Sequence, residues 1–572
     1  MSIMPVKRIF HHDVSVVLAG EAGQGIETVE QILMRIFKSA GYHVSATKEY
    51  MSRVRGGTNT TEIRVSSRAV VAFLDRIDVL VALDPGAIDH VKDRLSPKTI
   101  IIVNEESHKE EGRDIFSVPF SKIAWELGNR ILSNTVALGF LAALFGISAE
   151  EVIVQVRSSF AKKEADIIEK NCLAVQRGFN FGLQAVDRYQ LTIQIERNAD
   201  IKKQLIISGH EAAALGAVVG GCNFLASYPM SPSTGVLTFL AQHADEFGIV
   251  VEQAEDEIAA INMGLGSWYA GGRALVTTSG GGFALMSEGL SLAGAIESPM
   301  VIHLAQRPGP ATGLPTRTEQ GDLDLALYAG HGEFPRAILT PGTIEDVFVL
   351  TAWAFGLADR YQVPVFILTD QGLLDLYQTL AELPVVSTSI SNEPVQTEPD
   401  YKRYRFTQSG LSPRGIPGFG QGIVCVDSDE HDESGHITED GAVRRAMVDK
   451  RMKKHELLLE KVLAPVLYGA KDYKKLIIAW GSTFHAILEA LELQKDPDMA
   501  FLYFRQVYPF PETAIPFIKK AKEVICIENN AGGQFSGLLR RETGLSVHKK
   551  ILKYNGAPFS VEELVRQIWE QE

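Results

Sequence analysis

Short apolar strands alternating with helices run through most of this 572-residue chain and predict an α/β protein of three α/β domains. Three observations carry that expectation. Branched apolar runs recur, among them 14–18 (VSVVL), 79–83 (VLVAL), 274–277 (ALVT) and 300–304 (MVIHL). Segments with apolar residues at helical spacing lie between them, such as Ile26, Val29, Ile32, Leu33, Ile36 and Phe37. The length also exceeds what one core fills, at about 150 residues per domain.

The first domain, 1–190, opens with a strand at 14–18, a glycine turn and a helix over 26–40. Strands at 79–83 and 99–104 (TIIIVN) and a buried helix over 134–146 come next. The second domain, 195–385, alternates more cleanly. Strands at 205–207, 249–251, 274–277 and 300–304 are separated by helices over 211–220, 256–270 and 283–296. Strand–loop–helix repeats of this length imply a doubly wound parallel sheet covered on both faces, with ligand groups on the loops after strand C-termini. The stretch 386–460 reads as a polar connector that contains the acidic DSDEHDESGHITED run from Asp427 and a charged, partly helical segment over 444–462. A third α/β domain, 461–572, has strands near 476–479, 501–504 and 524–527.

Hydrophobic residues make up 45% and charged residues 22%, an ordinary globular composition. With 56 basic against 70 acidic side chains the net charge is −14, which argues against a protein that tracks phosphates on nucleic acid. No run approaches the ~18 apolar residues of a membrane span, and the first residues lack the features of a signal peptide, so the expected address is the cytoplasm. Cys172, Cys222, Cys425 and Cys526 form no CxxC pair. They read as small reduced core residues, and the chain alone would not ligate an iron–sulfur cluster.

The chemistry-bearing stretches lie in the second domain. In Tyr228-Pro229-Met230-Ser231-Pro232-Ser233 two prolines stiffen the loop and fix Ser231, whose hydroxyl could meet a ligand carbonyl; equally, the serines could only cap the next helix. The run Glu252 to Glu257 places acids at a helix start, where they suit the helix dipole. Glu257 differs in being followed by the small apolar run Ile258-Ala259-Ala260-Ile261, so its carboxyl would be desolvated, with a raised pKa suited to sharing a proton with a ring nitrogen. Gly280, Gly281 and Gly282 would let a ligand approach the backbone, or simply make a tight turn. Arg307, at a strand end before a Gly/Pro loop, could hold a carboxylate through its fork or lie in solvent. In the first domain Gly20-Glu21-Ala22-Gly23-Gln24-Gly25 opens a helix without the dinucleotide GxGxxG order, which disfavours an NAD-dependent dehydrogenase. The acidic run from Asp427 has loose ligand spacing, so a solvated loop or interface element outweighs a metal site there.

Taken in order, GHEAAALGA from Gly209, YPMSPST from Tyr228, EDEIAAI from Glu255, TTSGGGF from Thr277 and QRPGPATGLPTRTEQGDL from Gln306 are similar to the α subunit of 2-oxoacid:ferredoxin oxidoreductases. HGEFPR, SGLSPRGIPG, DEHDESGHITED, PFPE and ENNAGGQ extend the resemblance over nearly the whole chain, in the form with a γ domain fused ahead of α. The resemblance implies a γ domain over 1–190, a pyrimidine-binding domain over 195–385 and a transketolase C-terminal-like domain over 461–572. It implies that Glu257 exchanges a proton with the aminopyrimidine of thiamine diphosphate. Pro229, Gly280 and Gly281 would line the cofactor, and Tyr228, Ser231 and Arg307 the substrate. Ser231 stands where the family usually has threonine, which keeps the hydroxyl and drops a methyl group. A surface facing coenzyme A would include Gly23, Gln24, Gly25, Arg55, Gly56 and Gly57. No GDG…N element for Mg2+ and diphosphate is present. The resemblance places Mg2+ and 4Fe–4S clusters on a β subunit that shares the thiamine diphosphate, in an (αβ)2 assembly serving ferredoxin, and neither nucleic acid nor membrane is expected as a partner. The implied reaction is oxidative decarboxylation of 2-oxoglutarate to succinyl-CoA, or its reverse. Pyruvate or a branched-chain or aryl 2-oxoacid is the close alternative, and a non-catalytic regulatory subunit is the alternative from another class.

Overall fold

A computed structural model describes residues 12–21, 26–50, 58–105, 115–189, 193–386 and 394–570. The chain divides into two compact units, one of Met1–Ile207, Leu376–Glu382 and Ser560–Glu563, the other of Ser208–Asp375, Leu383–Phe559 and Leu564–Glu572. The fold is mixed α/β, and the described residues form three sheets of eight, seven and five strands.

The first unit holds the eight-stranded sheet, in the order Ile115–Val118, Ile100–Asn104, Val79–Ala82, Asp13–Glu21, Thr58–Ser66, His43–Glu49, Tyr377–Leu380 and Leu205–Ser208. Val14, Val16 and Leu18 alternate with Ser15 and Val17 and pack under the helix Ile26–Ser39, whose Val29, Ile32, Leu33, Ile36 and Phe37 complete the core. The helices Ser133–Leu144 and Ala165–Tyr189 touch backbone to backbone. A Cβ on Gly139 would lie 2.1 Å from Val175 O, and one on Gly178 would lie 1.9 Å from Val136 O.

In the second unit a parallel core of strands is β1 (Phe224–Ser227), β2 (Val250–Gln253), β3 (Ala274–Thr278), β4 (Met300–Gln306), β5 (Ala337–Leu339) and β6 (Pro364–Asp370). The seventh strand, β7 (Gln506–Tyr508), comes from far along the chain and pairs antiparallel with β5. Every residue of β3, β4 and β6 is buried, as expected of parallel strands covered on both faces. The five-stranded sheet runs Val466–Gly469, Met499–Phe504, Lys475–Trp480, Glu523–Glu528 and Lys549–Leu552.

Helices α1 (Glu257–Tyr269), α2 (Gly280–Leu285), α3 (Ser287–Ala295), α4 (Leu323–Tyr328) and α5 (Gly441–Leu459) belong to the same unit. The single helix expected over 283–296 is two, α2 and α3, meeting at Met286, where Met286 N–H bonds Phe283 O over a tightened turn. The three glycines expected between strand and helix form the first turn of α2, and at Gly280 and Gly282 the neighbours lie too close to admit a side chain.

The polar stretch expected to be a connector is tied down within this unit. Arg414 Nη2 and Arg273 Nη1 lie 2.7 and 2.6 Å from the two oxygens of Asp359. Lys450 and Lys454 of α5 lie 2.6 and 2.5 Å from Glu297, and Arg403 donates to Glu297 O at 2.8 Å. In the acidic run, Glu430 pairs with Arg451 and Arg444, and His431 is buried against the Tyr404 ring with centroids 3.9 Å apart. No helix among the described residues is long and apolar enough to cross a membrane.

Candidate active site

The site collects at the C-terminal ends of β1, β2, β3 and β4, where a parallel sheet presents its loops. Asp256 sits in extended backbone and accepts from Ala259 N–H at 2.7 Å, capping α1. That cap sets Glu257 as the first helical residue, pointed inward and 3% exposed. Its Oε1 is shut off from solvent and has no hydrogen-bond partner among the described residues. Burial, with a smaller contribution from Asp256, holds the carboxyl above its ordinary range, while the backbone amide opposes.

The first turn of α2 lies against this carboxyl. A Cβ on Gly282 would fall 2.4 Å from Glu257 Oε1 and 2.4 Å from Thr278 Oγ1. Gly281 is exposed, with Ala311 O 3.7 Å from where its Cβ would be. Gly280 abuts a different acid, Asp322, whose Oδ1 would lie 2.4 Å from a Cβ there. Asp322 Oδ2 is buried without a partner among the described residues. Burial pushes Asp322 up to about 7; the nearby Glu319 adds to this and Arg307 opposes it.

Arg307 Nη1 donates to Ser231 O at 2.7 Å, which joins the Tyr228–Ser233 loop to the loop after β4. Its other guanidinium nitrogens make no hydrogen bond among the described residues. Ser231 is half-buried, and Ser233, the residue before the helix Thr234–Gln242, donates its hydroxyl to Met230 O at 2.8 Å. Tyr228 is 37% exposed and Pro229 half-buried. The structure thus brings Ser231 to Arg307 and sets Glu257 against the glycine turn that holds Gly280 and Gly281. The residues Gly23, Gln24, Gly25, Arg55, Gly56 and Gly57 lie outside the described residues.

Residues 15–181 match the family "Pyruvate ferredoxin/flavodoxin oxidoreductase", and residues 215–450 match "Pyruvate flavodoxin/ferredoxin oxidoreductase, thiamine diP-bdg". The 2-oxoacid:ferredoxin oxidoreductase subunit alpha of a Sulfolobus species is 32% identical over 96% of this chain and 95% of its own length. The chain belongs to the 2-oxoacid:ferredoxin oxidoreductase α subunits. It is therefore a subunit of a thiamine-diphosphate-dependent oxidoreductase. A 2-oxoglutarate oxidoreductase subunit of Mycobacterium tuberculosis is 28% identical over 96% of this chain and 90% of its own length. The solved 2-oxoglutarate:ferredoxin oxidoreductase of Magnetococcus marinus superposes with a TM-score of 0.90 at 30% identity, covering 98% of this α subunit and 99% of that chain.

Thiamine diphosphate fits the residues present. An orphaned, buried carboxyl oxygen, as a protonatable aminopyrimidine nitrogen requires, lies against a turn whose Gly281 leaves backbone uncovered. The residues that sequence reasoning missed are those that hold the loop from Gln306 to Leu323. Gln306 Nε2 donates to Thr369 O at 3.1 Å while its Oε1 accepts from Asp322 N–H at 3.0 Å. Gln320 Nε2 donates to Trp480 O at 2.8 Å, and its Oε1 accepts from Asn529 N–H at 2.9 Å. Asn530, of the ENNAGGQ run, donates to Gln320 O at 3.1 Å and to the buried Glu528 at 2.9 Å. The signal for Asp322 was a second acid, three residues after Glu319, inside a Gly/Pro-rich loop.

Proposed function

We propose that this α subunit activates thiamine diphosphate for the coenzyme A-dependent oxidative decarboxylation of 2-oxoglutarate to succinyl-CoA, or the reverse carboxylation. The observation that carries the reading is Glu257, buried at the start of α1 with an unpartnered oxygen over the glycine turn. Glu257 would hold a proton at the aminopyrimidine nitrogen, and the burial that raises its pKa favours its keeping that proton for the exchange. Bound thiamine diphosphate would supply the nucleophilic carbon and the electron sink. Gly280 and Gly281 would line the cofactor, the exposed Gly281 offering open backbone, and Pro229 would stiffen the facing loop. Arg307, fixed through Ser231 O, would take the substrate carboxylate on its uncommitted nitrogens, with the Ser231 hydroxyl and Tyr228 beside it.

The choice of 2-oxoglutarate is supported by the Magnetococcus marinus relative, whose structure holds 2-oxoglutarate, coenzyme A and succinyl-CoA. A β subunit would share the cofactor and carry Mg2+ and the 4Fe–4S clusters, passing electrons to ferredoxin in an (αβ)2 assembly in the cytoplasm. The four cysteines of this chain are scattered, and Cys172, Cys222 and Cys526 are buried and unpaired. Gly23–Gly25 and Arg55–Gly57 would face coenzyme A.

The test is to co-express the chain with its β subunit and assay 2-oxoacids with coenzyme A and a viologen acceptor. Turnover highest on 2-oxoglutarate, abolished by Glu257→Gln with the complex still assembled, supports the reading. Highest turnover on pyruvate or a branched-chain 2-oxoacid changes the substrate. Near-normal activity of Glu257→Gln removes the residue from the chemistry and points to a regulatory subunit.

A further inference from the structure

Two carboxyl groups converge on the glycine turn of α2. Glu257 lies against Gly282 and Asp322 against Gly280, and each keeps one oxygen buried and unpartnered among the described residues. Asp322 immediately precedes α4, yet its side chain makes no capping bond there. It is held through its backbone, by Gln306, and the next residue back, Gly321, accepts from Gln534 Nε2 at 2.8 Å. A half-buried acid with one oxygen shut off from solvent, which neither caps its helix nor forms a close ion pair, has no evident structural task.

The groups that face it are few. Glu319, on its own loop, repels a negative charge on it, and Arg307, at the end of β4, attracts one. The α2 segment Gly-Gly-Gly-Phe-Ala-Leu brings no charge, Gln306 and Gln534 are neutral, and Asp324 of α4 has Arg541 as its charged neighbour. Arg307 is thus the one cation acting on Asp322 among the described residues.

We infer that Asp322 is a further substrate-binding residue, a carboxyl that takes up a proton when the 2-oxoacid carboxylate occupies Arg307 and then donates a hydrogen bond to that anion. The inference rests on the proposal that Arg307 holds the substrate carboxylate. The bound anion neutralises the guanidinium that had favoured ionised Asp322, so the fraction of the carboxyl that was ionised takes up a proton from solvent. An ionised Asp322 would repel the same anion across a desolvated site. Binding and protonation are therefore linked, and affinity falls as pH rises past the point where the free carboxyl ionises.

The experiment uses the complex with the β subunit, carrying Glu257→Gln so that 2-oxoglutarate binds without turnover. Titration calorimetry at neutral pH in two buffers of different ionisation enthalpy gives the protons taken up. The parent complex should take up roughly half a proton per site, and Asp322→Asn none, with affinity kept within about threefold because the amide still donates. Asp322→Leu should bind about tenfold more weakly. In the complex with Glu257 restored, KM should rise by up to about tenfold per pH unit in the alkaline range with kcat little changed, and Asp322→Asn should flatten that rise. Unchanged proton uptake in Asp322→Asn, or undiminished affinity in Asp322→Leu, overturns the inference. Arg307→Met separates the two readings. If it binds 2-oxoglutarate as tightly as the parent, the reading of Arg307 fails. If it loses affinity while Asp322→Asn keeps the full uptake, only the Asp322 inference fails.

Discussion

Arg307 is anchored from one side only: Ser231 O takes one nitrogen and leaves the rest of the fork for a ligand. Replacing it with Met keeps the buried stem and removes the charge. In steady-state assays of the complex, Arg307→Met should lower kcat/KM for the 2-oxoacid by about 100-fold, chiefly through KM, the loss expected for a charge-assisted pair. An unchanged KM would place the carboxylate elsewhere. At this scale the sequence was informative where burial follows from local neighbours. Glu257 precedes Ile258-Ala259-Ala260-Ile261 on its own helix, so its desolvation could be read from adjacent letters. Asp322 is desolvated by a glycine turn some forty positions away, and no local pattern reports that.

The element that shapes the site is the first turn of α2. Gly280 and Gly282 are needed for space and not for backbone freedom, since a Cβ on Gly280 would meet Asp322 and one on Gly282 both Glu257 and Thr278 at 2.4 Å. Gly282→Ala should push the carboxyl off its position. Turnover is expected to fall by about 100-fold or more, with a stability loss of about 1–3 kcal/mol from overpacking, read by activity and thermal melting of the complex. Activity close to that of the parent would mean the turn can yield. Strand and helix order in this region was legible because parallel βα repeats have strong periodicity. The break between α2 and α3 was not, since it depends on how Met286 and Phe283 pack beneath the sheet and both are fully buried. The supports from Gln320 and Asn529 were equally hidden, because they join loops more than two hundred positions apart.

Over the whole molecule, polar composition proved a poor guide to the middle of the chain. The stretch that reads as a polar connector places Lys450 and Lys454 on Glu297 in the interior of the second unit. Burial lowers Lys454 to about 7, and Glu297 opposes that fall. Glu297→Gln would leave two buried amines without their counter-ion, at an expected cost of about 3–5 kcal/mol in unfolding free energy. Lysines with lowered pKa bind fewer protons folded than unfolded, so the variant should regain stability as pH rises from about 7 toward the ordinary lysine value of 10.5. Denaturant melts at neutral and alkaline pH would check this, and an equal loss at both would argue against the buried amines as its source.

The sheet that carries Glu257 is completed by β7, which pairs with β5 from residues 506–508, and the first unit includes Ser560–Glu563 near the end of the chain. On the ribosome, then, the sheet of the second unit cannot be completed before residue 508 has emerged, nor the first unit before residue 563. The edge of β5 stays unpaired throughout that interval, a template for wrong partners that nascent-chain chaperones would have to cover. A ribosome that stalls before residue 508 would release a catalytic sheet lacking its last strand.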